Sequence, residues 1–187
     1  TGHPLHADIG TIKNLSDALV SRCPPALGDV PSKLLGLPVL DGSRSACNWG
    51  NDNDAVVPGI FGPHHLPYLF RNDYVTNSND SYWLSNPHHP LTGFARIIGN
   101  EKTPRTLRTR VGLIMTQDRV SGIGEKKGFT LRAMQDMVFS NRQYAGDLWR
   151  DPLVSLCKTF GSVGLIPTTS GVVTSVGDAC KVLAKWD

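Results

Sequence analysis

A run of polar side chains, residues 77–81, is the strongest candidate for chemistry in this sequence. The run reads NSNDS and places two amides, a carboxylate and two hydroxyls in five consecutive residues. Such groups are costly to bury and must form hydrogen bonds wherever they are buried. On an extended chain Asn77 and Asn79 project to the same face, and an amide offers two N–H donors suited to a fixed oxyanion hole. The alternative is a polar turn that satisfies its own backbone.

Three arginines, Arg105, Arg108 and Arg110, form a second candidate cluster. They are either a solvated basic face or a group from which one guanidinium turns inward to hold an amide or a carboxylate. If this segment is helical, Arg108 and Arg110 point to nearly opposite sides, so that only one of them faces a site.

Several other residues have weaker claims to a function. Thr1 is a possible N-terminal nucleophile that uses its own α-amine as base, although its neighbours in the sequence offer little support. Two adjacent histidine pairs at 64–65 and 88–89 lack the spacing of metal ligands, so we expect surface or packing roles, no metal site and no cofactor. Three aromatic side chains either line an apolar pocket or belong to the core: Tyr82, Trp83 and Phe94.

The composition limits the class of protein. The chain has 187 residues, of which 40% are hydrophobic and 19% charged, so it can bury a core. A net charge of +3 is too mild for a nucleic-acid-binding protein. No apolar run reaches the roughly 18 residues that predict a transmembrane helix, so we expect no membrane partner.

The elements that must position these residues are a mixture of strands, helices and long loops. In the first half we predict a strand over residues 3–8, a short helix over 14–20 capped by Asn14, an irregular region over 23–67, and a strand over 74–84 that breaks into a polar turn. In the second half we predict a loop over 86–103, a helix from Thr106 to Gly122 or Gly124, a helix from Thr130 to Leu156, a surface loop over 161–175 and a final helix over 178–186.

The four cysteines, at positions 23, 47, 157 and 180, include no CxxC pair. An even number in separated local pairs indicates disulfides and an oxidising compartment. Three connectivities are possible, and four free thiols are the alternative. We favour Cys23–Cys47 and Cys157–Cys180, because each bond closes a loop of similar, modest length.

Longer motifs resemble one enzyme family over nearly the whole chain. They are LDGSRSAC (40–47), YVTNSNDSYWLSNP (74–87), PLTGF (90–94), TPRTLRTRVGL (103–113) and FSNRQYAGDLWRDPLVSLC (139–157). These stretches resemble the β-subunit of the penicillin acylase family, most of all the branch that acts on aculeacin-type cyclic lipopeptides, acyl-homoserine lactones and penicillin V.

The resemblance implies an α+β fold, the αββα sandwich of the N-terminal nucleophile hydrolases, here with long loops pinned by disulfides. It implies secreted or periplasmic enzymes that cleave themselves to expose an N-terminal Ser, whose acyl-enzyme is then hydrolysed by water. Asn79 matches the family's oxyanion-hole Asn, with Asn77 as the alternative register. Arg110, and next Arg108, matches an Arg that orders the nucleophile and the Asn.

The chain also departs from the family pattern. In the family, the catalytic Ser opens the β-subunit and lies much further than 78 residues before the oxyanion Asn. Only 78 residues precede Asn79 here, so the resemblance aligns Thr1 with the interior of a β-subunit. The catalytic Ser is therefore expected on another segment. We therefore expect residues 1–187 to be a middle segment of an acylase β-subunit rather than an independent domain, and to be inactive alone. The expected partners are the α-subunit and the remaining β-subunit. The alternatives are a secreted binding module without catalysis and, third, a Thr1-nucleophile hydrolase.

Overall fold

A computed structural model describes residues 2–28, 30–35, 38–123, 127–161 and 164–186. The chain divides into two compact units, Thr1–Arg105 and Thr106–Asp187. The structure has the mixed helix and strand content that the sequence predicts. Among the described residues, none of the helices combines the length and the apolar character needed to cross a membrane.

The described part of the first unit contains two strands, two short helices and three 3-10 turns. Strand β1 (Leu5–Ala7) pairs antiparallel with β2 (Tyr68–Phe70), so that Leu5 lies opposite Phe70. The helices are α1 (Asp17–Arg22) and α2 (Val30–Leu35). The 3-10 turns cover Ser45–Cys47, Pro63–His65 and Tyr82–Leu84. The strand predicted over 3–8 is confirmed.

The predicted start of the first helix is wrong by two residues. Ser16, not Asn14, is the N-cap of α1, and its hydroxyl accepts a hydrogen bond from Leu19 N at 3.2 Å. Asn14 is only 6% exposed, and its side-chain amide donates to Asp52 Oδ1 at 2.8 Å. A bond to a residue 38 positions away ties the irregular region to the core, which a local cap does not do.

The core of the first unit surrounds a disulfide. Leu15 and Leu19 pack against Cys23 and Cys47, which form the predicted bond with their Cα atoms 5.7 Å apart. The bond closes a loop of the irregular region between α1 and the Ser45–Cys47 turn. Where the structure describes it, the region predicted as irregular over 23–67 has that character for most of its length, apart from α2 and two short 3-10 turns.

The strand predicted over 74–84 is wrong. Within the described residues this segment forms no strand, because it turns back on itself before reaching the Tyr82–Leu84 turn. Thr76 N donates to Ser85 O at 2.8 Å, which closes the segment into a compact polar loop. Side-chain hydrogen bonds to nearby backbone groups compete here with sheet pairing.

Four helices and a small hairpin make up the regular structure of the second unit, outside residues 124–126, 162–163 and 187, which the structure does not describe. The helices are α3 (Leu107–Ser121), α4 (Leu131–Phe139), α5 (Tyr144–Thr159) and α6 (Gly177–Lys185). The predicted helix starts at Thr106 and Thr130 are confirmed, and both residues are N-caps: the Thr106 side chain accepts from Thr109 N, and the Thr130 side chain accepts from Ala133 N. Gly122 ends α3 with a φ of 74°, a left-handed conformation that glycine adopts without a Cβ clash.

Two predictions in the second unit are wrong. The helix expected from Thr130 to Leu156 is two helices, separated at residues 140–143, where Asn141 has a φ of 54°. The expected surface loop over 161–175 contains a hairpin of β3 (Leu165–Pro167) and β4 (Val173–Ser175). Its turn is closed by a hydrogen bond from Thr168 N to Val172 O.

The second disulfide is confirmed as well. Cys157 on α5 is bonded to Cys180 on α6, with their Cα atoms 5.8 Å apart. Both disulfides therefore join neighbouring elements inside one unit, and no described cysteine is free.

Candidate active site

The polar run at residues 77–81 forms an exposed turn in which Asn79 has an unusual backbone. Its φ is 52°, in the left-handed region that asparagine tolerates better than most residues. Asn77 holds this conformation, because its side-chain oxygen accepts a hydrogen bond from Asn79 N at 2.6 Å. The two asparagines therefore differ: the Asn77 side chain closes the turn, and Asn79 occupies its left-handed position.

Asp80 fastens this turn to Arg105. Asp80 Oδ1 accepts from Ser81 N at 2.7 Å and lies 2.9 Å from a terminal nitrogen of the Arg105 guanidinium. The Arg105 side chain is only 7% exposed, and its guanidinium lies over the Trp83 ring at 5.4 Å from the centroid. It also donates to the backbone oxygen and to the hydroxyl of Thr103. One of the three predicted arginines does turn inward, and it is Arg105.

Glu101 holds the chain on the other side of the turn. Its Oε1 atom accepts from the Tyr82 hydroxyl at 2.6 Å, from Gly93 N at 2.9 Å and from Phe94 N at 3.1 Å. Burial raises the pKa of the Glu101 carboxyl, but these three hydrogen bonds outweigh it and leave the pKa below its ordinary value. Burial, with the bond to Glu101, raises the pKa of Tyr82 well above that of free tyrosine.

A second polar network lies just before the turn. The Arg71 guanidinium donates to both carboxylate oxygens of Asp73, at 2.8 and 3.1 Å. Asn86 is fully buried and donates to Tyr74 O at 3.0 Å and to Asp73 at 3.3 Å. The Arg71 bond, against the effect of burial and with help from Tyr74 N and Asn86, holds the pKa of Asp73 far below its usual range.

The other two arginines lie in the second unit. Arg108 and Arg110 are both exposed in the first turns of α3. The Arg110 guanidinium stacks over the Tyr144 ring at 5.0 Å from its centroid. Their assignment as the residue that orders Asn79 stays a prediction.

The aromatic candidates have different surroundings. Tyr82 is 2% exposed, and its ring meets that of Phe94 edge-on with centroids 5.2 Å apart. These two rings therefore support the turn from within the core. Trp83 is partly exposed and covered on one side by Arg105. The Thr1 prediction falls outside the described residues.

Each histidine of the first pair has its own carboxylate. His64 Nδ1 lies 2.6 Å from Asp54 Oδ2, and His65 Nδ1 lies 2.8 Å from Asp52 Oδ2. The ligand atoms of Asp52, Asp54 and His65 fall within 4.8 Å of one another. Asp52 also accepts hydrogen bonds from Asn14 and Gly62, so it links three parts of the irregular region. The side chains of His64 and His65 are exposed, the first of the two roles that we expected for them.

Sequence patterns pointed to Asn77, Asn79 and Arg105 but missed Asp73, Asn86 and Glu101. One signal for Glu101 was present, because it is the single acidic residue in the loop between positions 86 and 105. A lone carboxylate in a loop rich in backbone N–H groups is a natural acceptor for them. Chemically, the turn offers a neutral amide on a braced backbone, which suits stabilisation of a developing negative charge.

Comparison with known proteins gives matches over the whole length of the chain. The family model described as "Penicillin amidase" matches residues 2–187. Aculeacin-A acylase of Actinoplanes utahensis is 44% identical over 188 residues, which cover 100% of this chain and 24% of that protein. The acyl-homoserine lactone acylase PvdQ of Pseudomonas fluorescens strain Pf0-1 is 32% identical over 186 residues, covering 100% and 21%. The chain therefore spans about a quarter or less of the length of these curated relatives.

Proposed function

The chain belongs to the penicillin amidase family, and from this premise we propose that it is part of an acylase that hydrolyses a linear amide bond. The substrate class is an acylated amide: a lipopeptide, an acyl-homoserine lactone or a penicillin-type compound. The nucleophile is an N-terminal Ser on another segment of the same enzyme, and it forms an acyl-enzyme that water hydrolyses. The aculeacin-A and acyl-homoserine lactone acylases among its relatives support this reaction class.

One observation carries the proposal. Asn79 lies on an exposed turn whose backbone is held by hydrogen bonds of a residue before it and a residue after it. Asn77 bonds to Asn79 N on one side, and Asp80 is held by Arg105 on the other. A donor that is already fixed needs no reorganisation when negative charge develops on the substrate oxygen. A single donor of this kind stabilises a transition state by roughly 3 kcal/mol.

Arg105 has the geometry of the arginine that orders this donor. Its guanidinium bonds to Asp80, the residue next to Asn79, and its side chain is buried between Asp80 and Trp83. A planar guanidinium with several donors suits this role better than an ammonium group. We keep Arg110 and Arg108 as the competing assignments from sequence.

The remainder of the acylase is proposed to cover the apolar surface of this chain. Large hydrophobic side chains are exposed in the described residues of both units, among them Ile9 at 90%, Phe139 at 75% and Trp149 at 60%. Surfaces of this kind mark contacts with further protein. The proposed arrangement is the αββα sandwich completed by the α-subunit and the rest of the β-subunit, in a secreted or periplasmic enzyme to which the disulfides are suited.

A binding module without catalysis is less well supported. That alternative depends on Tyr82, Trp83 and Phe94 as ligand contacts. Tyr82 is buried with its hydroxyl bonded to Glu101, and Phe94 packs against it. Trp83 alone is too small an aromatic surface for a binding site of the usual kind.

Trapping the acyl group tests the proposal. The complete enzyme is mixed with an acylated amide, quenched in acid during the first turnover, and digested for mass spectrometry. We expect the acyl mass on an N-terminal Ser outside residues 1–187. An acyl group on Thr1 would replace the proposal with the Thr1-nucleophile hydrolase, and turnover with no acylated peptide would argue against an acyl-enzyme altogether.

A further inference from the structure

The Glu101 carboxylate joins Tyr82 to the 93–94 loop, in addition to the backbone hydrogen bond from Leu91 N to Trp83 O at 3.0 Å. A single oxygen accepts three hydrogen bonds, from the Tyr82 hydroxyl and from the backbone N–H groups of Gly93 and Phe94. Hydrogen bonds to an ionised acceptor are roughly twice as strong as those between neutral groups. Glu101 therefore holds the 93–94 loop and Tyr82 at the same carboxylate oxygen, Oε1.

Tyr82 lies three residues after Asn79. A restraint on Tyr82 therefore also limits the movement of the backbone next to Asn79. The Tyr82 ring is buried against Phe94, whose own N–H bonds to Glu101, so both ends of the tyrosine are held by one segment. Gly99 brings the same segment close to the turn, since a Cβ there would lie 2.8 Å from Ser81 Oγ. Residues 93–101 thus contact Ser81 and Tyr82, which follow Asn79 in the chain.

We propose that Glu101 is a positioning residue for the Asn79 amide, acting through Tyr82. The inference rests on the proposed function of Asn79. The Asp80–Arg105 pair restrains the turn from the guanidinium side, and the Glu101–Tyr82 pair restrains it from the core side. Without Glu101 the Tyr82 hydroxyl and two backbone N–H groups lose this acceptor, and the segment after Asn79 loses one of its restraints.

The experiment compares three variants of the complete enzyme: Glu101→Ala, Glu101→Gln and Tyr82→Phe. The matched control is Asp136→Ala, which removes an exposed carboxylate that pairs with Arg132 on α4. Active sites are counted by the acyl-enzyme burst, and kcat and KM are then measured per active site. We expect Glu101→Ala to lower kcat by about tenfold with KM within about twofold, the pattern of a lost transition-state interaction.

Rescue by the conservative variant separates positioning from charge. The Gln side chain keeps an oxygen that accepts the same three bonds, so we expect Glu101→Gln to recover kcat to within about threefold of the parent. Tyr82→Phe keeps the ring and removes one donor, and we expect its kcat to lie between those of Glu101→Ala and Glu101→Gln. If Glu101→Ala does not fold, Tyr82→Phe still tests the inference, because an unchanged kcat per active site for that variant would overturn it.

A tetrahedral inhibitor provides a readout that a purely structural role does not move. An alkylboronic acid forms a borate with the nucleophilic Ser, and one borate oxygen occupies the position of the oxyanion. We expect its Ki to rise in Glu101→Ala by the same factor by which kcat falls. A variant that only melts at a lower temperature, with kcat, KM and Ki per active site unchanged, would overturn the inference.

A double-variant comparison distinguishes the two proposals. If Asn79→Ala alone leaves kcat unchanged, the proposed function of Asn79 fails. If Asn79→Ala lowers kcat but Glu101→Ala does not, only the role of Glu101 fails. We expect Glu101→Ala to add little to Asn79→Ala, because coupled residues are not additive.

Discussion

The side-chain oxygen of Asn77 lies 2.6 Å from the backbone nitrogen of Asn79, and this bond separates two residues that the sequence leaves equivalent. Asn77 uses its carbonyl oxygen to close a local turn. Asn79 occupies the left-handed position of that turn with a φ of 52°. A pair of variants that each remove one amide while keeping the turn can therefore tell the donor from the turn-former.

Asn79→Gly and Asn77→Ser form that pair. Glycine adopts a positive φ without strain and has no amide side chain, so we expect kcat to fall by about 100-fold or more. Serine at position 77 still offers an oxygen to the N–H of residue 79, so we expect kcat within about threefold of the parent. Steady-state kinetics on the complete enzyme, with circular dichroism as a check of folding, measures both effects. If Asn77→Ser lowers kcat about 100-fold and Asn79→Gly leaves it within about threefold, Asn77 is the donor instead.

Substitution of the three arginines tests which of them orders the turn. We expect Arg105→Ala to lower kcat by more than about tenfold, because it removes a buried guanidinium that pairs with the partly buried Asp80 carboxylate. Arg105→Lys is expected to recover little, since an ammonium group cannot both stack on Trp83 and bond to Asp80 and Thr103 in the same way.

Arg108→Ala and Arg110→Ala are the matched comparisons for that test. Both residues are exposed on α3, and we expect kcat to stay within about threefold of the parent in each, as for most surface substitutions. If Arg110→Ala lowers kcat strongly and Arg105→Ala lowers it only mildly, Arg110 is the arginine that orders Asn79, as assigned from the sequence.

The Asp73 network predicts a loss of stability in acid. The pKa of Asp73 is depressed in the folded state, so its contribution is full above the ordinary carboxyl pKa of about 4 and is lost as pH falls below it. We expect Asp73→Asn to lower Tm at pH 7 and to flatten the decline of Tm below pH 4. Calorimetry from pH 7 to pH 2 measures this decline.

The exposed carboxylate Asp151 is the control for the acid measurement. It pairs with Arg150 on the surface of α5 and is 84% exposed, so Asp151→Asn should leave the acid dependence of Tm as it is in the parent. If Asp73→Asn and Asp151→Asn flatten the acid decline of Tm equally, the Asp73 network makes no specific contribution to stability in acid.

Removal of the disulfides should destabilise the units by comparable amounts. The two bonds span 24 and 23 residues, so the entropy that each removes from the unfolded chain is similar, about 3 kcal/mol. We expect Cys23→Ser with Cys47→Ser, and Cys157→Ser with Cys180→Ser, to shift urea midpoints to similar extents. A much smaller shift for one pair would show that its loop is already ordered when the chain is unfolded.

Local signals predicted the second half of the structure better than the first. Thr106, Gly122 and Thr130 mark helix ends through contacts within one turn, and both disulfides follow from the spacing of the cysteines. The break at Asn141 escaped prediction because the apolar pattern continues across it from α4 into α5.

The interior of the candidate site depends on bonds between distant residues, which a pattern in one segment does not reveal. Tyr74 and Tyr82 have strand propensity, yet buried bonds to Asn86 and Glu101 fix them in a folded-back loop. The same reasoning applies to Arg105, whose inward position depends on Asp80, 25 residues earlier. Residue type suggested the chemistry of the turn, and tertiary contacts decide which side chains support it.

Because Cys23–Cys47 lies before Arg105 and Cys157–Cys180 lies after Thr106, neither bond spans the junction between the two units. A protease that cuts between Arg105 and Thr106 would therefore release two polypeptides that migrate separately on a gel without reductant. A cut between positions 161 and 175 would instead leave its products linked through Cys157 and Cys180, and they would separate only after reduction.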